Sequence, residues 1–338
     1  MQIREDISLK ACNTFNIDVR ARYFVELTSI DNIISFIRDP FKRFPGHLIL
    51  GGGSNTLFIK DYDGLIVHIT NKGIHIKDED TKHVLLSVGA GEVWDDLVSY
   101  CVERGWGGLE NLSMIPGLAG ASPIQNIGAY GVELKDHFVE LQAIELKSGE
   151  IRTFSADDCA FGYRNSIFKN KLKGRYIIMD ITLKVDKQPE LRTGYGAIKG
   201  ELEYMKVLEP GINDIRCAVC NIRSRKLPDP SVLGNGGSFF KNPVVSIEHF
   251  EALKKEYPGI VAYATGNNTY KLAAGWLIEK AGWKGFRRGD AGVHHQQALV
   301  LVNHGNASGQ SILGLSEEIR ESVLEKFNVK LEREINVI

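Results

Sequence analysis

The longest stretch of this chain free of acidic, basic and histidine residues spans 111–132. As a continuous apolar helix it would be long enough to cross a bilayer. It cannot be one. Pro116 and Pro123 break helical hydrogen bonding, and four glycines loosen the backbone. Ser122, Gln125 and Asn126 add polar groups that lipid would leave unsatisfied. The segment is therefore expected to be a long irregular loop held against protein or ligand, since turns rarely run this far without charge. Its small side chains, in IPGLAGASPIQNIGAYG (115–131), leave room for a large flat ligand to lie against the backbone.

A second glycine loop, LGGGSNTLF (50–58), follows a short apolar strand. Glycines let backbone N–H groups converge on an anion, as in a phosphate nest. A tight surface turn explains 51–53 equally well. Neither loop matches the dinucleotide G-x-G-x-x-G or the Walker pattern. At 338 residues the chain is long for one core, and two or three lobes are expected. A net charge of −1 gives no basic field for nucleic acid. The N-terminal MQIREDISLK has no apolar signal core, so secretion is not expected and the cytoplasm is. Five cysteines, an odd number without framework spacing, read as reduced thiols. Cys217 and Cys220 form a lone CxxC, read as neighbours one helical turn apart. His294 and His295 are adjacent and would point to opposite faces of a strand, so no metal site is expected.

Short strands are expected at 19–27, 48–50, 65–69 and 84–88. A helix is expected over 92–104, with Gly105 just past its end. Residues 141–146 and 151–154 read as a hairpin, 175–185 as a strand, and 213–225 as a helix stopped at LPDP (227–230). That proline pair is the best boundary between lobes. Helices near 247–256 and over 271–281, a strand at 298–302, an amphipathic helix after Ser308 and a terminal strand at 329–338 complete an α+β chain.

Three polar features stand out. In GNGGSFFKNP (234–243), Ser238 reads as a nucleophile, a proton donor or a turn residue. The trailing glycine of a G-x-S-x-G elbow is missing. A serine proton donor needs only a place beside a developing carbanion and surroundings that support the alkoxide. In FGYRNSIFK (161–169), Arg164 suits a two-pronged contact to a carboxylate, or it stacks on Tyr163 at the surface. Glu334, in LEREINVI (331–338), lies in an apolar strand with its face undecided; taken alone, a charged edge-strand residue is the better reading.

Together these segments resemble the UDP-N-acetylenolpyruvoylglucosamine reductase family, flavoenzymes of peptidoglycan precursor synthesis. The resemblance covers nearly the whole chain: NTF (13–15), GGGSN (51–55), IPGLAGASPIQNIGAYGVE (115–133), GYRNSIFK (162–169), KLPDP (226–230), GNGGSFFKNP (234–243), KLAAGWLIE (271–279) and HHQQALVLVN (294–303). GYGAIKGEL (194–202) and YATGNNTYKLAAGWLI (263–278) resemble the longer type, with a tyrosine-bearing loop that closes over substrate.

The resemblance implies a three-lobed α+β fold. A two-lobe FAD-binding unit of the vanillyl-alcohol oxidase (PCMH) type would comprise 1–70, joined by the strand 328–338, and 71–218. A substrate-binding α+β lobe would follow over 219–327. FAD would lie between the first two lobes, against Gly51, Gly52, Gly53, Ser54 and Asn55 and against Pro116, Gly117, Gly120, Ala121, Ser122, Ile124, Gln125 and Gly128, with Arg223 near the ring. NADPH would reduce FAD and leave, and UDP-N-acetylglucosamine enolpyruvate would bind in its place. Hydride would go to the distal vinyl carbon. Arg164 and Glu334 would stabilise the resulting carbanion through its carboxylate, and Ser238 would supply the proton. Tyr195, Lys226, Asn242, Tyr263 and Gln297 would contact substrate. Ile335 and Asn336 stand where the family usually has valine and arginine, so Glu332 is the fallback for Glu334. A monomer without nucleic-acid or membrane partners is expected. The competing readings are another flavin oxidase of the same fold, a serine hydrolase and a non-catalytic nucleotide-binding module.

Overall fold

The computed structural model describes residues 1–44, 46–266 and 268–338. The chain forms two compact units, each assembled from separated stretches. The first comprises Met1–Ile7, Ala21–Gly52 and Asp63–Arg225; the second comprises Ser8–Arg20, Gly53–Tyr62 and Lys226–Ile338. The last crossing from one unit to the other falls just before LPDP. Among the described residues, no helix is long and apolar enough to cross a membrane.

The first unit carries two sheets. One has four strands in the order Ile3–Ser8, Arg20–Leu27, Tyr62–Ile69, His47–Leu50, and its last two strands are parallel. The helix Ile30–Arg38 packs on it. Its entry is fixed by Ser29, whose hydroxyl accepts from the amide of Asn32, and Ile33, Phe36 and Ile37 form the buried stripe that a 3.6-residue period produces. The other sheet has five antiparallel strands, in the order Ile151–Ser155, Phe138–Glu145, Tyr176–Asp186, His83–Gly89, Ile74–Glu79. The helix Trp94–Glu103 packs its Trp94, Leu97, Val98 and Cys101 against that sheet. Burial pushes the Cys101 thiol up to about 12, so it behaves as a small apolar side chain. The helices Gly196–Tyr204 and Ile212–Lys226 share a smaller core of Ile198, Leu202, Ile215, Val219 and Ile222.

The second unit has a four-stranded sheet in the order Gly234–Ser238, Val300–Asn303, Ala291–Val293, Arg287–Arg288. The helix Gly309–Phe327 buries Ile312, Leu315, Ile319, Val323 and Phe327, the stripe that the sequence periodicity predicts. A three-stranded sheet runs in the order Val244–Ser246, Thr269–Leu272, Ala262–Gly266; the helix Ile247–Glu256 follows its first strand in the chain, and the helix Ala274–Lys280 follows Thr269–Leu272. The short strand Asn336–Val337 runs parallel to Thr56–Leu57.

Two expectations need correction. Residues 271–281 are not one helix: the chain is extended through Leu272, whose amide donates to the Pro243 carbonyl at 2.9 Å, and turns helical only at Ala274. The alternation over 329–338 yields a regular strand only at Asn336–Val337, because residues 332–334 bond one by one to 239–241 instead.

Candidate functional site

In the first unit the uncharged segment is a loop, as its prolines and glycines require. It is tied down by backbone bonds at short intervals. Trp94 donates to the Gly117 carbonyl at 3.0 Å, Ala119 to Glu92 at 2.8 Å and Gly120 to Ala90 at 2.9 Å. The anchoring leaves Pro116, Ala121 and Ile124 exposed along an uncharged surface. The other glycine loop meets it here. A Cβ on Gly52 would stand 3.3 Å from the Gly117 backbone, and one on Gly51 would touch Leu118 and Ala121. Two backbones this close leave little between them but their own amide groups.

Both ends of the loop are under backbone tension. Met114, Asn126 and Tyr130 have left-handed φ of 57°, 45° and 49°, and so has Arg164 at 50°. Such conformations persist in non-glycine residues only where the surroundings dictate them, and they cluster at functional sites. At the start, the Asp95 carboxylate accepts from the Met114 amide at 2.6 Å, and Arg223 donates to the Met114 carbonyl at 3.1 Å. Asp95 is also gripped by Arg216 through both oxygens, at 2.8 and 3.0 Å. Burial alone would raise the Asp95 carboxyl; the hydrogen bonds from Arg216 and Met114 outweigh it and hold its pKa below the usual value. Burial pulls the Arg223 guanidinium down, and its Nε is buried without a hydrogen-bond partner among the described residues.

At the far end, GYRNSIFK is clipped onto the loop. Ser166 donates to the Ile124 carbonyl at 2.7 Å, Lys169 to the Gln125 side chain at 3.3 Å, and Arg164 to the Gly128 carbonyl at 2.6 Å. Arg164 also lies over the Tyr163 ring, 5.5 Å from its centroid, so it combines the stacking of the surface reading with a fixed donor direction. Tyr195 presents its ring edge-on to Tyr130 at 5.6 Å and is half exposed. The first unit thus brings together Gly51, Gly52, the 116–128 loop and Arg164. It places Arg223 at the loop's entry and Tyr195 beside Tyr130.

The second unit holds Gly53, Ser54 and Asn55. Gly53 has φ of 61°, and a Cβ there would stand 2.1 Å from the Cys12 carbonyl oxygen, so only glycine fits. Thr14 lies against this loop, donating its amide to the Gly53 carbonyl at 3.4 Å. Its hydroxyl is buried with no partner among the described residues. Asn55 bridges to the C-terminal segment: its side chain donates to the Glu334 carbonyl at 3.3 Å, and its carbonyl accepts from the Asn336 amide at 3.1 Å.

Ser238 ends the strand Gly234–Ser238, just after a bulge between Asn235 and Ser238. Packing explains Gly234 and Gly236, since a Cβ on Gly236 would meet the Phe15 ring at 2.6 Å and Ile335 at 2.8 Å, whereas Gly237 is explained by its left-handed φ of 70°. Beyond Ser238 the chain pairs on both sides. Phe239 donates to the Leu299 carbonyl and accepts from the Glu334 amide, each at 2.8 Å. Glu334 is therefore hydrogen-bonded to the residue next to Ser238. It is half-buried, whereas Glu332 is exposed and pairs with Lys241 at 3.1 Å. Asn242 accepts from the Ala274 amide at 2.9 Å, at the start of the helix Ala274–Lys280. Gln297 accepts from the Leu299 amide at 3.4 Å through its side-chain oxygen. Tyr263 lies half exposed on the strand Ala262–Gly266; Asn267 is outside the described residues. Lys226 closes the helix Ile212–Lys226.

Sequence reading missed Thr14, Asp95 and Arg216. Thr14 sits inside the NTF motif that carried the resemblance, so a signal existed. The Asp95–Arg216 pair had none: its partners are 121 positions apart and neither lies in a motif. Among the described residues, no group of three histidine, cysteine, aspartate or glutamate side chains is arranged to hold a metal ion.

The residues suit a flavin dinucleotide. In the first unit, converging loop backbones offer donors for phosphate, the exposed uncharged loop offers a flat face, and the Arg223 Nε has no partner among the described residues; in the second, the buried Thr14 hydroxyl is a donor likewise without one among them.

Comparison with known proteins agrees with that fit. Residues 21–155 match the FAD binding domain family, and residues 229–338 match the C-terminal domain family of UDP-N-acetylenolpyruvoylglucosamine reductase. The chain is 47% identical to the UDP-N-acetylenolpyruvoylglucosamine reductase of Amoebophilus asiaticus over the full length of both. It is 46% identical to that of Pseudomonas savastanoi, over 100% of this chain and 99% of the relative. In structure it resembles the UDP-N-acetylenolpyruvylglucosamine reductase of Thermus caldophilus, with a TM-score of 0.70, 23% identity and 99% of each chain covered.

Proposed function

The chain belongs to the UDP-N-acetylenolpyruvoylglucosamine reductase family, and from that membership we infer that it is a flavin oxidoreductase reducing the enolpyruvyl ether of UDP-N-acetylglucosamine in peptidoglycan precursor synthesis. The product is UDP-N-acetylmuramate, and the electrons come from NADPH. FAD bound here would supply the hydride chemistry between nicotinamide and the vinyl CH2 carbon. Gly51, Gly52, Gly53, Ser54 and Asn55 would hold its pyrophosphate, joined by Thr14. Residues 116–128 and Arg223 would hold the rest of it.

The protein's own groups then manage charge and one proton. Hydride addition to the terminal carbon leaves a carbanion at the neighbouring carbon, delocalised into the substrate carboxylate. Arg164 binds that carboxylate; its guanidinium is already aimed by the Gly128 carbonyl. Glu334 shares the role of stabilising the aci-carboxylate. Ser238 gives its hydroxyl proton to the carbanion carbon, completing addition of H2 across the double bond. Tyr195, Lys226, Asn242, Tyr263 and Gln297 hold the sugar nucleotide. The three-lobe division set out from the sequence and a monomeric state belong to the same reading.

The observation that carries the assignment of roles is the bond between the Glu334 amide and the Phe239 carbonyl, which ties the C-terminal glutamate to the strand end bearing Ser238. The exposure of Glu332 favours Glu334 over it. The test is spectroscopic. Protein loaded with FAD and freed of excess should bleach on adding NADPH without oxygen. Its colour should return on adding the enolpyruvyl sugar nucleotide. A protein that holds no flavin, or a reduced flavin that the substrate leaves bleached, overturns the reading.

A further inference from the structure

Gln297 lies in a tight turn whose bonds are all internal to the second unit. His294 donates its backbone amide to the Val300 carbonyl at 2.9 Å, and Val300 donates back to the Gln297 carbonyl at 3.0 Å. The His294 side chain closes the turn: its Nδ1 takes the Gln297 backbone amide at 3.3 Å. An imidazole accepts there only when neutral, with its proton on Nε2. The ring is buried, and burial, with His295 and His304 adding charge beside it, favours that neutral form. The turn is also joined to the catalytic strand, since Val300 pairs with Ser238 and Leu299 bonds to Phe239.

The Gln297 side chain is set from two sides. Its oxygen accepts from the Leu299 amide, which leaves its NH2 group as the part offered to a ligand. The same oxygen lies where a Cβ on Gly275 would come within 2.8 Å. Gly275 is inside the helix Ala274–Lys280, where alanine would ordinarily be the better residue. A helix glycine facing a side-chain amide suggests that room for that amide is what it provides.

We propose that His294 is a positioning residue for substrate binding: as a neutral acceptor it latches the turn that aims the Gln297 amide NH2 at a carbonyl or phosphate oxygen of the sugar nucleotide, and Gly275 leaves the space that the Gln297 oxygen occupies. The proposal rests on the reading of Gln297 as a substrate contact. It adds two residues to which the resemblance gave no role.

The test uses the FAD-loaded protein in its oxidised state, titrated with the enolpyruvyl sugar nucleotide without reductant, so that binding is read without turnover. Gln297→Ala should weaken binding about tenfold, the loss of one good hydrogen bond. His294→Leu should weaken it by a similar factor. His294→Asn, which puts an acceptor oxygen close to the Nδ1 position, should restore binding to within about threefold of the native protein. Gly275→Ala should weaken binding without lowering the melting temperature, a split that a purely structural role would not give. Native binding in His294→Leu overturns the proposal, and so does equal weakening in the Leu and Asn variants. Should His294→Leu fail to fold, Gly275→Ala decides, and unchanged binding there overturns the proposal. If Gln297→Ala binds normally, the substrate reading of Gln297 has failed. The latch is then judged on hydrogen exchange at the Gln297 amide: faster exchange in His294→Leu but not in His294→Asn sustains it, and equal exchange in both overturns it.

Discussion

Ser238 follows a bulge and precedes two buried phenylalanines that lock its strand in place. In the proposed role, a hydroxyl carried on so fixed a backbone would deliver its proton to one carbon and not its neighbour. Positioned proton transfer typically contributes about 10²–10⁴-fold in rate. Ser238→Ala should therefore slow reoxidation of the reduced flavin by substrate by about that factor and leave its reduction by NADPH near native. Rapid-mixing absorbance at the flavin band separates the two half-reactions, and equal losses in both would remove Ser238 from its role. Gly53 makes a different demand. A methyl group there would overlap the Cys12 carbonyl and strain a backbone at φ 61°. Gly53→Ala should cost at least about 1 kcal/mol of stability and weaken FAD retention. Unfolding in urea with a parallel flavin titration checks both.

At the scale of elements, the long C-terminal helix shows how local chemistry and packing cooperate. Ser308 accepts from the Ser311 amide at 3.1 Å and starts the helix; Asn328, in the left-handed conformation, ends it. Ser308→Ala should lower stability by about 1 kcal/mol, and Ser308→Gly by only a few tenths, read as shifts in the urea midpoint. This helix was legible in the sequence because period, cap and length agree. The stretch over 271–281 was not. Its first residues are extended because Val244–Ser246 and Ala262–Gly266 pair on either side, and such partners leave no mark in the local pattern. The helix Ile30–Arg38 went unread despite its serine cap, because nine residues give its apolar stripe little more than about two turns in which to repeat. The site divides in the same way. Glycine loops, Arg164 and Ser238 announce themselves in motifs. The Asp95–Arg216 partners meet only on folding, so their letters look ordinary; Thr14 and His294 stand inside the NTF and HHQQALVLVN stretches, and only their surroundings were illegible.

At the scale of the molecule, pH gives a test that no single motif predicts. Burial lowers the pKa of His47, His68 and His294 below the ordinary value of 6.5. Unfolding restores the ordinary value, so the unfolded chain takes up protons that the native chain refuses. Their contribution to stability is complete above about pH 6.5 and is lost as pH falls from there toward the lowered native values. His304, also lowered by burial, acts with them, and Asp180, whose carboxyl is raised by burial, opposes as one group against four. The urea midpoint should fall between about pH 7.5 and about pH 5.5; a constant or rising midpoint would refute the sign. The discontinuous make-up of the second unit has a consequence in time. Its strand Thr56–Leu57 finds its parallel partner only at Asn336–Val337. During synthesis, the loop at Gly53 and the strand after it leave the ribosome long before that partner is made. The stretch must wait, unpaired, until Asn336–Val337 has emerged, and a nascent chain stalled earlier presents an open strand edge to the proteases and chaperones around it.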